Sequence, residues 1–377
     1  MIYLTYADQP SGVFSSQVID VCHYINSLNK KKIRLVAFIS FHGFNKNKAK
    51  IKAEMPHALV LPMFPKMTWF STNAFILLLV LLFTGERSIV ARNVLGCNIA
   101  NSLKKILTLK VCFDGRGAIA AEWNEYNVVP FPAWKEAIHQ WEKQSVLQSD
   151  FHIAVSSELV NYWQQRYQYN SNQHVIIPCT LNSGFKAHAL TAQEINTTRQ
   201  QIGFGDDDIV LVYSGSTAGW QSFDLLKTFL SRVLMAEARV KVLFLSEQDK
   251  NVDALKALFP GRILQRFVSH KEVTSILTAC DYGILIREKS VTNQVASPTK
   301  FAEYLSAGLP VIISEGIGDY SAFVKTHSCG VVLSSEVSPP LAPNTLDERN
   351  RYVRLVTDHY SKQAQTNNYL KLMDEMR

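Results

Sequence analysis

The chain has 377 residues, 47% apolar and 19% charged, with 17 Gly and 13 Pro; this excludes disordered and collagen-like classes. At roughly 150 residues per domain the length predicts two large domains, able to bury a core without disulfides or a structural metal. A surplus of 39 Lys and Arg over 32 Asp and Glu gives a formal charge of +7, compatible with an anionic substrate, a nucleic acid or an anionic membrane surface.

The first element is an apolar strand at residues 2–5, with no basic segment before it, so no secretory signal is predicted. The turn Asp8-Gln9-Pro10-Ser11-Gly12 leads into a helix over 14–28. Further strands are predicted at 33–39, 58–61, 88–91, 109–113, 151–155 and 174–177, and helices at 68–83, 98–106, 132–148 and 158–167. Strands that read as continuous apolar runs between helices indicate a parallel, doubly wound sheet over residues 1–182. The longest apolar run, 74–83, falls well short of the ~20 residues a membrane-spanning helix needs. Six cysteines, at 22, 97, 112, 179, 280 and 329, make no CxxC pair, which removes support for zinc or iron–sulfur sites and predicts reduced thiols in a cytoplasmic setting.

Residues 183–208 are polar, with one short helix expected, and read as a linker. A second α/β series over 209–344 has strands at 209–213, 240–245, 263–266, 282–286, 311–313 and 330–333, and helices at 220–234, 252–258, 271–279 and 299–307. Residues 345–377 read as a polar helical tail, broken once, that closes the second domain or crosses back to the first.

Ligands of open α/β sheets bind outside the carboxyl ends of the strands, so the expected site is a cleft between two such edges. The most informative segment runs from Ser297 to Pro310. Ser297 fits an N-cap, Pro298 the first helical position, and Gly308 and Pro310 a stop. Phe301 and Leu305 share a buried face, while Thr299 and Glu303 share another. The helix start offers N–H groups to a phosphate, Lys300 adds a mobile cation, and Glu303 lies about 5–6 Å deeper, where a sugar diol would sit. A capped surface helix with a solvated Lys and Glu is the plain alternative.

The string Val295-Ala296-Ser297-Pro298-Thr299-Lys300-Phe301-Ala302-Glu303-Tyr304-Leu305, followed by Gly308-Leu309-Pro310-Val311-Ile312, resembles the donor site of retaining glycosyltransferases of the GT-B fold, family 4 type. That family includes sucrose and glycogen synthases and many bacterial cell-surface polysaccharide enzymes. Phe113-Asp114-Gly115-Arg116-Gly117, Ile153-Ala154-Val155-Ser156 and Ile177-Pro178-Cys179 resemble landmarks of its first domain. The resemblance implies two facing Rossmann-like domains. It also implies retaining transfer of a hexose from a UDP- or GDP-sugar to a saccharide or lipid-linked saccharide, in capsule, O-antigen, lipopolysaccharide or exopolysaccharide synthesis.

The family carries two glutamates separated by seven residues. Glu303 matches the second, which binds the donor ribose, whereas the first falls on Val295. Glu288 or Asn293 is a candidate to replace it. The family's diphosphate-binding Arg and Lys are missing from the loop Ser214-Gly215-Ser216-Thr217-Ala218-Gly219-Trp220-Gln221, and Arg287 and Lys300 are candidate replacements. Gly12, after the first strand, permits close approach of donor phosphate or acceptor. Asp114 is a candidate to orient the acceptor hydroxyl, and Arg116 to bind an acceptor phosphate or brace the leaving diphosphate; Glu122 and Glu125 are further acceptor-side candidates. For both Asp114 and Arg116 a structural ion-paired turn is the alternative.

Asp206 and Asp208 have DxD spacing but precede a strand, on the wrong edge, so neither an essential metal nor a cofactor is expected. No GxGxxG or GxxxxGK[ST] motif occurs, and no nucleic-acid recognition module is apparent. The competing readings are a non-catalytic partner subunit, favoured by Val295 and the missing cations, and a nucleotide-sugar epimerase or phosphorylase. The basic clusters Lys30, Lys31, Lys32, Arg34 and Lys46, Lys48, Lys50, Lys52, with the apolar helix 75–83, predict peripheral contact with an anionic membrane. The alternative is a helix packed all round, with ordinary solvated lysines.

Overall fold

Thirteen short, largely buried segments pair as two separate parallel sheets in the computed structural model, which describes residues 1–28, 32–129, 131–215, 219–268, 270–333 and 340–377. The chain divides into one unit of Met1–Gly184 with Lys362–Arg377 and a second of Phe185–Ser361.

The first unit holds β1 (Ile2–Tyr6), β2 (Arg34–Ile39), β3 (Leu59–Pro62), β4 (Ser88–Arg92), β5 (Lys110–Gly115), β6 (Phe151–Ala154) and β7 (His174–Ile176), in the order β3-β2-β1-β4-β5-β6-β7. The second holds β8 (Ile209–Ser214), β9 (Val240–Leu245), β10 (Ile263–Arg266), β11 (Tyr282–Leu285), β12 (Val311–Ser314) and β13 (Gly330–Leu333), in the order β10-β9-β8-β11-β12-β13. Each is the doubly wound Rossmann-type order expected from the sequence. Strand order reverses between β1 and β4 and again between β8 and β11, and ligands of such sheets bind at that point, beyond the carboxyl ends.

Two connections carry helices of their own. Residues 183–208 contain the helix Ala192–Ile202, closed by a capping box of Thr191 and Glu194, and Ile195 packs with Leu190 and Val353 of the second unit. The tail divides at Ser361: Leu346–Tyr360 belongs to the second unit, and Thr366–Glu375 to the first. Tyr369, Leu372, Met373 and Met376 enter the first unit's core beside Met1 and Tyr3.

The apolar helix, Phe70–Thr84, is not packed all round. Ala74, Leu77, Val80 and Leu81 face inward, whereas Phe75, Leu79, Leu82 and Phe83 form an exposed stripe, with Phe83 89% exposed. The basic helix Phe44–Glu54 sends Ile51 into the core on the sheet face of Tyr3. The apolar helix packs on Asn93–Ser102, whose Gly96 meets the side chain of Tyr6, and Tyr3 and Tyr6 point to opposite faces of β1. The two expected membrane features therefore lie on opposite sides of the sheet. Lys30 and Lys31 lie outside the described residues. Among the described residues no helix is long and apolar enough to cross a membrane.

Candidate functional site

In the second unit the helix Thr299–Ser306 is held over the strand-order reversal by Tyr304. Its ring fills the space left by Gly283 on β11, where a Cβ would lie 2.2 Å from the ring. Its hydroxyl accepts from the Ser214 N–H at 2.9 Å and donates to the Ile284 carbonyl at 3.3 Å, tying the helix to β8 and β11 together. The cap is shifted from the expected place. Pro298, not Ser297, is the N-cap, and Ser297 Oγ pairs with the Tyr320 hydroxyl at 2.6 Å. Because Pro298 has no capping side chain, the first turn is uncapped and carries no acidic residue. Such a helix start favours an anion.

Lys300 is not the mobile cation the sequence suggests. It is 9% exposed, with its stem against Gly215 and its ammonium 4.3 Å from the centre of the Tyr213 ring. Its hydrogen bond goes to a neutral group, Gln221 Oε1, at 3.2 Å. Burial, with nearby Arg287, holds its pKa well below the ordinary lysine range, against a smaller upward pull from Glu303. Gly215 makes this possible: a Cβ there would lie 2.5 Å from Lys300 Cε, and its φ of +130° is one L residues rarely adopt.

Arg287 follows β11 and is 7% exposed; its Nη2 reaches the same Gln221 Oε1 at 3.2 Å. Two cations thus converge on one amide oxygen. Gln221 carried no sequence signal, because it stands in a 3-10 turn after a loop that lacks cations. Asn293 is fully buried; it accepts from Arg287 at 3.4 Å and donates to the Glu288 carbonyl, so its side chain braces Arg287. Thr299 and Glu303 are half-buried on one side of the helix, whereas Phe301 and Leu305 are buried. Val295 is 2% exposed, an apolar packing position at which no carboxylate is available. Ser216 lies outside the described residues.

In the first unit Gly12 opens the helix after β1, behind a Ser11 cap that accepts from the Phe14 N–H at 3.2 Å. Asp114, at the end of β5, is fully buried. It accepts from the Tyr3 hydroxyl, and its Oδ1 lies 2.9 Å from Arg116 Nε and its Oδ2 3.7 Å from Arg92 Nη1. Arg92 in turn lies 3.4 Å from Asp8. The structure joins the candidates Asp114 and Arg116 and adds Arg92 and Asp8, which stand in no motif and are brought to Asp114 only by the pairing of β1, β4 and β5. Glu122 has its carboxyl pKa raised by burial and by Glu142, a fully buried carboxyl that accepts from Tyr167 at 2.6 Å and Tyr162 at 3.0 Å. Among the described residues no group of three or more His, Cys, Asp or Glu is placed to hold a metal ion.

No family model and no curated protein matches the chain. Solved structures do match it across nearly its whole length. The Anabaena protein HepE, crystallised with UDP, has a TM-score of 0.72 at 12% identity, covering 99% of each chain. The lipopolysaccharide outer core galactosyltransferase WaaB, in its apo form, has 0.65 at 12% identity over 99% of this chain and 98% of its own. A glycosyltransferase from Rickettsia africae has 0.64 at 13% identity, over 100% and 93%. At these identities the likeness establishes the fold, which is GT-B-like.

Proposed function

We propose that the protein is a glycosyltransferase whose second unit binds a nucleotide-diphosphate sugar, UDP- or GDP-linked, and whose first unit binds a saccharide or lipid-linked saccharide acceptor. The observation that carries this reading is Lys300. A buried ammonium with a single neutral acceptor stands beside a second cation, Arg287, at the start of an uncapped helix and at the strand-order reversal. A diphosphate supplies charged oxygens to the Lys300 ammonium and accumulates charge as it leaves, which positive groups stabilise without a metal. Glu303, one turn along the same helix, accepts from the ribose hydroxyls, and Thr299 and Gly215 line the phosphate approach. The family resemblance and the fold shared with HepE and WaaB support retaining hexosyl transfer in surface polysaccharide synthesis.

The exposed stripe Phe75, Leu79, Leu82 and Phe83, with Phe64 and Trp69 in the loop before it, supports peripheral contact of the first unit with a membrane at its cytoplasmic face. The contact is apolar in character, since the basic helix faces the other way. A non-catalytic partner subunit is the second reading, and the buried apolar Val295 favours it.

Calorimetry with UDP, GDP and uridine, followed by a transfer and hydrolysis screen over UDP- and GDP-hexoses, tests the proposal. The expected result is binding of a nucleoside diphosphate far tighter than of uridine. Glu303→Gln should weaken it by about 1.5–3 kcal/mol, the worth of hydrogen bonds to a charged group. Diphosphate binding without turnover of any sugar would favour the partner-subunit reading. Equal affinity for UDP and uridine would sink the phosphate assignment.

A further inference from the structure

The carboxyl edge of the first sheet holds a second polar centre. Asp8, Arg92, Asp114 and Arg116 form a continuous run of ion pairs across the ends of β1, β4 and β5, with separations of 3.4, 3.7 and 2.9 Å. The Tyr3 hydroxyl donates to one Asp114 oxygen, Arg92 Nη1 stands in ion-pair range of the same oxygen, and Arg116 Nε faces the other as an ion pair without an aligned hydrogen bond. Two guanidinium groups therefore surround one carboxylate. Arg92 Nη1 and Arg116 Nη1 are buried without a hydrogen-bond partner among the described residues, and each arginine side chain is still 11% exposed. Buried N–H groups without acceptors are costly, and a guanidinium fork is shaped for a carboxylate or phosphate.

Two independent features place a ligand here. The edge between β1 and β4 is where the strand order reverses. Arg92 is also the N-cap of the ten-residue helix Asn93–Ser102, which has no acidic residue in its first turn, so its positive end adds to the two arginines. The site is not purely cationic. The Asp8 side chain is 27% exposed, and Asn93, at a left-handed φ of +58°, donates to Asp8 at 3.3 Å while its own Oδ1 accepts from the Gly96 N–H. A carboxylate kept beside the forks disfavours a bare inorganic anion. It suits a molecule that brings hydroxyl donors as well as an oxyanion.

We infer that this edge is the seat of an anionic saccharide, with the oxyanion on Arg92 and Arg116, a ring hydroxyl donating to Asp8, and Asp114 acting as a positioning residue that aims both arginines. Calling that saccharide the acceptor rests on the transferase reading; the seat itself does not. A neutral sugar leaves the buried Nη groups unmatched, and a phosphate ion alone meets Asp8 with no hydroxyl to offer it.

The test is calorimetry on the full chain at fixed ionic strength with glucose 6-phosphate, glucuronate, glucose and inorganic phosphate, with UDP titrated in parallel. The expected result is at least tenfold tighter binding of one anionic sugar than of glucose or inorganic phosphate. Which of the two binds better separates a phosphate from a carboxylate ligand. Arg92→Gln and Arg116→Gln should each weaken that binding at least tenfold and leave UDP affinity within twofold. Arg116→Lys, which keeps the charge without the fork, gives an intermediate loss and serves where the Gln variant does not fold. Glucose or inorganic phosphate binding as tightly as the anionic sugars, no binding of either anionic sugar, or folded arginine variants with full affinity would each overturn the inference. Loss of UDP binding in wild type with the anionic sugar still bound would sink the donor assignment and leave this seat standing.

Discussion

Replacing Lys300 by Met separates a ligand-binding lysine from a structural one, because the two roles predict opposite signs. The substitution keeps an unbranched stem against Gly215 and Tyr213 and deletes only the ammonium. In the unliganded protein that ammonium has one hydrogen bond to a neutral amide and one aromatic contact at 4.3 Å. The aromatic contact is worth about 0.5–2 kcal/mol and the hydrogen bond about 1, against a desolvation penalty of several kcal/mol for a buried charge with Arg287 nearby. The variant should therefore be more stable by about 1–2 kcal/mol, a rise in Tm of roughly 2–8 °C for a unit of this size. UDP binding should move the other way. Loss of a charge-assisted hydrogen bond of about 1.5–3 kcal/mol lowers affinity roughly 10- to 150-fold. Thermal unfolding without ligand and calorimetry with UDP read the two effects on one preparation. A lower Tm with unchanged UDP affinity would refute the reasoning and make Lys300 a packing residue.

The depressed pKa of Lys300 has its own signature. The unfolded lysine titrates near 10.4, so between the lowered folded pKa and that value the unfolded state binds the extra proton, and this group's contribution to stability rises with pH. A bound diphosphate favours the charged form, so UDP should bind with proton uptake and lose affinity as pH rises through the window; titration in buffers of different ionisation enthalpy would show it, and zero uptake at every pH counts against it. Glu142 has the opposite sign: burial raises its folded pKa, so its contribution falls as pH rises from ~4.3 towards that raised value. Glu142→Gln should then be at least as stable as wild type at pH 8, with the difference shrinking towards pH 4; a loss of about 2 kcal/mol at pH 8 would show instead that the two tyrosine hydrogen bonds dominate. For the membrane contact, a triple change of Phe75, Leu82 and Phe83 to Ser should abolish co-sedimentation with lipid vesicles, whereas neutralising Lys46, Lys50 and Lys52 should change it little; the reverse pattern would move the contact to the basic helix.

The double Rossmann architecture was legible because nearly every strand is an apolar run whose neighbours are helices or turns. The helix Phe44–Glu54 was not, since Ile51 is its only fully buried residue and its lysines hide the period. At the candidate donor site the delimiting residues were readable: Gly308 takes its left-handed φ of +73° just past the helix end. What local pattern does not carry is the direction of a long side chain. Lys300 at the second helical position has the same sequence context whether it points to water or to Tyr213, and the choice is made by Gly215, just past the end of β8. Asp114 is similar. Its burial depends on Tyr3 reaching past β4, a partnership between residues far apart in the chain.

Two buried aspartates, neither marked by any motif, anchor the chain at its crossings. The chain passes between the units after Gly184 and after Ser361. In the first unit Asp20 accepts from the Ser183 N–H at 2.7 Å and pairs with Lys362 at 2.7 Å; the same ammonium donates to the carbonyl of Leu181 at 3.0 Å. The last residues before one crossing and the first residue after the other are thus held by one carboxylate. In the second unit Asp281 pairs with Arg199 and Arg349, each at 3.0 Å. These arginines stand on the helix that follows the first crossing and the helix that precedes the second. Removing one partner of such a buried group costs about 3–5 kcal/mol, so neither anchor yields easily. Asp281 immediately precedes β11, and Arg287 comes two residues after its end. A short, fully buried strand therefore carries the anchor of both crossings at one end and a candidate phosphate cation at the other. The Asp281 pairs fix the amino end of the strand, and Asn293 and Gln221 hold the Arg287 guanidinium beyond its carboxyl end.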